Sequence, residues 1–248
     1  MFCRHNRSYG QENWGCMMNS GQNLDVCSGL GGEVRLIPIP VNTSSLFSLI
    51  DFGGVFAGAM AGALEARRNR TYQFDFVGVI GLGFISALGG GITRDILLQH
   101  GPPLAFTDIR YLLIALAGGF IGLLCGSSPG RWLGKLLILV DAAALGLFAV
   151  AGSTRALGAG LSFLPAMLLG IITAVGGGSL RDVFSGRTPK VFERGEPYAL
   201  VAAIVSVLFL LTDRWTGNVT LSTSIGVAAG FIIRVLALRF QWKTQAVR

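Results

Sequence analysis

The sequence predicts an all-α integral membrane protein whose seven transmembrane helices form an inverted repeat of two three-helix halves plus a seventh helix. Three observations carry this prediction. Of the 248 residues, 52% are hydrophobic and 13% are charged, whereas soluble domains carry about 25% charged residues. Seven apolar runs follow a polar N-terminal segment, and a membrane span needs about 20 mostly apolar residues. A glycine-rich motif occurs twice, at corresponding places in the two halves.

Residues 1–45 are polar, rich in Asn, Ser and Gly, and contain no apolar stretch long enough for a signal peptide. They predict a disordered tail, and an over-extended start of translation is the alternative interpretation. The seven apolar runs then cover residues 46–64, 76–98, 109–126, 133–154, 161–184, 198–211 and 219–238. The predicted organisation is the tail, a first half over 46–128, a second half over 129–212, and the seventh helix with a C-terminal tail over 213–248.

The repeated motif closes the second and the fifth apolar runs. Residues 89–95 read GGGITRD, and residues 176–182 read GGGSLRD 87 positions later. The lone acids Asp51 and Asp141 open the first span of each half, and Ala61-Gly62 matches Ala151-Gly152 at the same offset of 90. Three spans per half is an odd number, so the halves cross the membrane in opposite senses.

Three adjacent glycines cost a helix roughly 1 kcal/mol each relative to alanine, so we expect the second and fifth helices to be broken at the triplets. Freed carbonyl groups could then replace part of the hydration shell of K⁺ or Na⁺. The alternative is close helix packing, since small residues let backbones touch. The glycines concerned are Gly89, Gly90, Gly91, Gly176, Gly177 and Gly178.

Charged residues in apolar runs are expensive unless they are paired or hydrated. Asp51 and Asp141 either line an ion or substrate path or pair with the motif arginines, Arg94 and Arg181. The motif acids, Asp95 and Asp182, face the same two alternatives. We interpret the arginines as mainly structural, because a bare guanidinium in a narrow path would repel a cation.

The formal net charge of +7 reflects orientation in the bilayer and not nucleic-acid binding, because the basic residues cluster at the ends of apolar runs. Arginines and lysines concentrate in loops that share one side in a seven-span topology. This predicts an inner-membrane protein with the N-terminus outside and the C-terminus in the cytoplasm.

Enzymatic chemistry has no support in the sequence. It contains no GxSxG, HExxH or phosphate-binding loop, and its histidines are His5 and His100. Cys3, Cys16, Cys27 and Cys125 have no metal-ligand spacing. We therefore expect a protein that is not an enzyme and holds no cofactor or metal.

The duplicated GGGxxRD motif, the Asp-led first span of each half and the three-plus-three-plus-one plan resemble the bacterial branch of the trimeric intracellular cation (TRIC) channel family, also described as glycine-transporter-like. The resemblance covers residues 46–238. It implies a homotrimer in which each subunit holds its own pore between the broken second and fifth helices and conducts monovalent cations, chiefly K⁺. A secondary transporter of a small amino acid such as glycine is the alternative, because inverted repeats also suit alternating access.

Overall fold

A computed structural model describes residues 41–69, 71–99, 101–125, 131–193 and 198–240. Of the predicted tail over residues 1–45, residues 1–40 lie outside the described residues, and residues 41–45 belong to the first helix instead of a tail. Within the described ranges the chain is α-helical, and the helices are α1 Val41–Arg68, α2 Phe76–Leu98, α3 Leu104–Thr107, α4 Ile109–Cys125, α5 Arg131–Gly158, α6 Phe163–Phe184, α7 Tyr198–Thr216 and α8 Val219–Arg239.

The seven long helices coincide with the seven apolar runs. Six of the helices in the described ranges are long and apolar enough to cross a membrane, and α4 is a shorter apolar helix of 17 residues. At 1.5 Å per residue α4 spans about 26 Å. Several helix ends differ from the predicted ones by four or more residues. Helix α1 begins at Val41 instead of residue 46 and ends at Arg68 instead of residue 64, α5 ends at Gly158 instead of residue 154, and α7 ends at Thr216 instead of residue 211.

The predicted helix breaks are wrong. Both α2 and α6 are helical without interruption through their glycine triplets. A continuous helix satisfies its backbone groups internally, which hydrocarbon demands. The cost of the glycines is offset by packing, because the triplets form the place where α2 and α6 cross.

At this crossing a side chain would collide with the facing backbone. A Cβ atom on Gly90 would lie 2.2 Å from the Thr173 carbonyl oxygen, and one on Gly177 would lie 2.2 Å from the Ser86 carbonyl oxygen. Ser86, the earlier residue in α2, therefore meets Gly177, the later residue in α6, and Gly90 meets Thr173. This order shows that the two helices run antiparallel. The close-packing interpretation of the triplets is the one that the geometry supports.

The same internal symmetry extends to the first helix of each half. A Cβ on Gly62 of α1 would lie 2.5 Å from the Leu82 carbonyl oxygen of α2, and one on Gly152 of α5 would lie 2.6 Å from Thr173 Oγ1 of α6. In addition, α1 packs on α4, α5 packs on α7, and α8 packs on α5 and α7. Equivalent helices make equivalent contacts in two halves of opposite direction, which is the inverted repeat.

Polar contacts join the two halves at the end of α1. The side-chain amide of Asn69, which is buried, donates to the Ser185 carbonyl oxygen at 2.8 Å, and its Oδ1 accepts from the backbone N–H groups of Thr71 and Tyr72. Beside it, Glu65 and Arg187 form an ion pair. Asn69 therefore ties the α1–α2 connection to the segment that follows α6.

Replacing Asn69 with alanine is expected to destabilise the protein by about 2 kcal/mol, because a buried carbonyl and two N–H groups lose their partner. The thermal midpoint of the purified protein in detergent measures the effect. Gln73→Ala is the matched control, since Gln73 lies in the same connection and is exposed. Equal thermal midpoints for the two variants would contradict the structural role assigned to Asn69.

Candidate functional site

The first charged cluster brings together α1, α2 and α4. Arg94 donates from Nη1 to Asp51 Oδ1 at 3.0 Å, from Nη2 to Asp51 Oδ2 at 3.3 Å, and from Nε to Asp95 Oδ1 at 2.8 Å. The Tyr111 hydroxyl donates to Asp51 Oδ2 at 2.7 Å, and the Leu104 N–H donates to Asp95 Oδ2 at 2.9 Å. Arg94 is 1% exposed, so the guanidinium is held almost entirely by these two carboxylates.

The second cluster repeats this arrangement on α5 and α6. Arg181 donates from Nη1 to Asp141 Oδ1 at 2.8 Å and from Nε to Asp182 Oδ1 at 3.1 Å. The backbone N–H of Lys190 donates to Asp182 Oδ2 at 3.1 Å, and Lys190 Nζ lies 3.7 Å from Asp141 Oδ2. Tyr198 is buried at the start of α7, with its hydroxyl 3.0 Å from where a Cβ of Gly178 would lie.

The two clusters lie on opposite sides of the α2–α6 crossing. Arg94 follows the crossing along α2, and Arg181 follows it along α6, which runs the other way. Each arginine is about six residues from the crossing, so the clusters are separated by about 18 Å along the helices. A charged cluster therefore lies above and below the close-packed glycines.

Each glycine of a triplet has a different neighbour. Gly90 and Gly177 lie in the crossing itself, and Gly89 faces the side chain of Leu180. Gly176 faces the Gly90 Cα, while Gly178 faces Tyr198. Gly91 faces Arg94, whose Nη2 would be 3.8 Å from an added Cβ. The structure thus places the triplets beside the charged clusters. The Gly89 carbonyl oxygen accepts a hydrogen bond from Thr93 Oγ1 within α2.

A recess opens beside the first cluster. Its polar wall is made of Asp51, Arg94, Asp95 and Tyr111, with Gly91 at its side. Its apolar wall consists of Val55, Ala87, Leu88, Leu104, Ala105 and Phe148. Dehydrated carboxylates in the wall of a narrow recess attract cations, and the arginine between them limits how much negative charge is left. Within the described ranges no group of three His, Cys, Asp or Glu residues is placed to hold a metal ion.

The pairing of Asp51 with Arg94 and of Asp141 with Arg181 favours the structural interpretation of these four residues. Their role in a path stays a prediction. Sequence reasoning missed Tyr111 and Tyr198, although they are separated by the same 87 positions as the two motifs. It also missed that the backbone N–H of Lys190 contacts an acid of the motif, because a lysine in a basic loop indicates orientation in the bilayer and not a contact with a buried acid.

Seven long helices in two inverted halves, with paired buried charges on both sides of a glycine crossing, define the class: a polytopic membrane protein built by duplication. A family model described as "Glycine transporter" matches residues 48–127 and 138–214, one match in each half. The chain is 37% identical over 201 residues to a UPF0126 membrane protein of Deinococcus radiodurans, covering 80% of this chain and 88% of that one. It is 33% identical over 196 residues to the inner membrane protein YadS of Escherichia coli K12, covering 78% and 92%.

Solved structures give the same result. The TRIC trimeric intracellular cation channel orthologue from Rhodobacter sphaeroides superposes with a TM-score of 0.73 at 30% identity, over 80% of this chain and 100% of that chain. A prokaryotic TRIC channel crystallised in 0.5 M KCl superposes with a TM-score of 0.73 at 26% identity, over 79% and 98%. The chain belongs to the UPF0126 family of bacterial membrane proteins, the bacterial branch of the TRIC family.

Proposed function

We propose that the protein is a cation channel permeable to K⁺ and Na⁺, with a pathway in each subunit along the α2–α6 interface. The observation that carries the proposal is the placement of the two Arg–Asp clusters on either side of the glycine crossing. Cations would collect at the carboxylates, pass the crossing when α2 and α6 separate there, and leave by the opposite cluster. The solved relatives support this, because they are described as cation channels.

The residues of the path would be Asp51, Asp141 and the six triplet glycines, with Arg94, Asp95, Arg181 and Asp182 holding its walls. Between Gly90 and Thr173 the backbones are in contact. In this proposal the contact closes the path, and α2 and α6 would need to part for conduction. We propose three copies in the inner membrane, in line with the trimeric description of the Rhodobacter relative. The N-terminus would face outward and the C-terminus the cytoplasm.

A secondary transporter of a small amino acid such as glycine is the second candidate. The description of the matching family model favours it. The recess also offers both an arginine and carboxylates, which suit the two ends of a zwitterion.

The purified protein should be recorded in planar bilayers under a tenfold KCl gradient, with labelled glycine uptake measured in liposomes in parallel. We expect unitary currents that reverse near the K⁺ equilibrium potential, and no saturable glycine uptake. Electrical silence together with saturable uptake would overturn the channel and favour the carrier.

A further inference from the structure

The two clusters differ in one charge. In the first cluster, Asp51 Oδ2 accepts a hydrogen bond from the neutral hydroxyl of Tyr111. In the second cluster the corresponding oxygen, Asp141 Oδ2, faces the ammonium group of Lys190 at 3.7 Å. Two carboxylates and one guanidinium give the first cluster a formal charge of −1. The added lysine gives the second cluster a formal charge of zero.

Lys190 holds a defined place in the repeat. Its backbone N–H donates to Asp182 Oδ2, as the backbone N–H of Leu104 donates to Asp95 Oδ2. The two residues therefore perform the same backbone role in the two halves, and their side chains differ. One half carries an apolar side chain at this position, and the other carries a cation.

Other charged groups lie near the two clusters. Arg155 lies over the Phe47 ring at 5.6 Å on the side of the first cluster, and Arg234 lies over the Tyr198 ring at 4.9 Å on the side of the second cluster. Two ion pairs outside the clusters, Arg110–Asp108 and Arg187–Glu65, each sum to zero. Within the two clusters themselves, the difference of one positive charge is that of Lys190.

We propose that Lys190 makes the pathway conduct cations unequally in its two directions. The inference rests on the proposed channel function and deepens it. A unit charge about 10 Å from a path in water changes the local cation concentration about twofold at low salt. Cations are therefore enriched at the Asp51 end relative to the Lys190 end. At equal and opposite voltages the larger current flows when cations enter from the Asp51 end.

The test is the current–voltage relation of single channels in symmetric 10 mM KCl. The wild-type protein is expected to show an asymmetry of about twofold, which falls towards one in 1 M KCl because the screening length shrinks to about 3 Å. Lys190→Leu, which copies the first half, and Lys190→Gln, which keeps a polar side chain, are both expected to bring the ratio close to one.

Lys135→Leu is the matched control, since Lys135 is an exposed lysine near the start of α5. It removes the same charge and is expected to leave the asymmetry in place. A further variant, Leu104→Lys combined with Lys190→Leu, is expected to reverse the favoured direction.

The outcomes separate the two proposals. Wild-type protein that conducts no cations overturns the channel function and this inference with it. Wild-type currents that are equal in both directions at 10 mM KCl overturn the inference alone, and so does an asymmetry that persists unchanged in either Lys190 variant. An asymmetry lost equally in the Lys135 variant would assign the effect to the general surface charge and overturn the role of Lys190.

Discussion

Gly90→Ala is expected to destabilise the protein by about 3 kcal/mol, at the upper end of the cost of overpacking. The added Cβ would lie 2.2 Å from the Thr173 carbonyl oxygen and 3.3 Å from the Gly177 nitrogen. Both are backbone atoms, so no side-chain rotation can relieve the contact, and α2 and α6 must move apart. Gly177→Ala is expected to behave alike, because its Cβ would meet the Ser86 carbonyl oxygen at the same distance.

Gly91→Ala is the control within the same triplet. Its Cβ would have the Arg94 Nη2 at 3.8 Å, an ordinary van der Waals contact. Alanine also favours a helix by about 1 kcal/mol over glycine. Thermal unfolding in detergent distinguishes the variants. The readout is the loss of the monodisperse peak in size-exclusion chromatography after heating. If Gly90→Ala and Gly91→Ala unfold at the same temperature, the crossing is not the close contact described above.

Asp51→Asn is expected to cost about 3–5 kcal/mol, the usual result of removing one partner of a buried ion pair. Arg94 would keep its bond to Asp95 and lose two bonds to a charged acceptor, while the Tyr111 hydroxyl would lose its acceptor carboxylate. The guanidinium cannot reach water instead, because it is buried on all sides. Thermal unfolding of the purified variant measures this cost.

Asp108→Asn is the control for the ion pair. Asp108 pairs with Arg110, whose side chain is 66% exposed, and exposed pairs contribute about 1 kcal/mol or less. The hydrogen bond from the Arg110 side chain holds the pKa of Asp108 below its ordinary value, so the pair is charged at neutral pH. If Asp51→Asn unfolds at the same temperature as the wild-type protein, the buried pair contributes nothing to stability.

The seven long helices were predictable because hydrocarbon imposes a length and a composition that the sequence displays directly. The inverted arrangement was predictable because the motif repeats after an odd number of spans. The effect of the glycine triplets on α2 and α6 was not predictable in this way. Helix propensity describes an isolated segment, and at Gly90 the deciding contact is with Thr173 on another helix.

The clusters were predictable in part. The sequence identified Asp51, Arg94 and Asp95 as related residues, and left open whether the acids pair with the arginines. Only distances between helices could decide this, and they favour pairing. Tyr111 and Lys190 were missed for different reasons. Tyr111 shares the 87-residue period with Tyr198 and could have been found, whereas Lys190 reaches Asp141 through a loop whose course the sequence does not specify.

Cysteine modification at Gly91 tests the central claim, a cation path along the α2–α6 interface, most directly. Gly91 lines the recess and has room for a side chain. The variant Gly91→Cys should be made in a background in which the four native cysteines are replaced by serine. Ile96→Cys serves as control, since Ile96 lies on α2 and is 60% exposed. We predict that a positively charged thiol reagent reduces the cation current of Gly91→Cys and leaves that of Ile96→Cys unchanged. Full current after confirmed modification at Gly91 would contradict the proposed path.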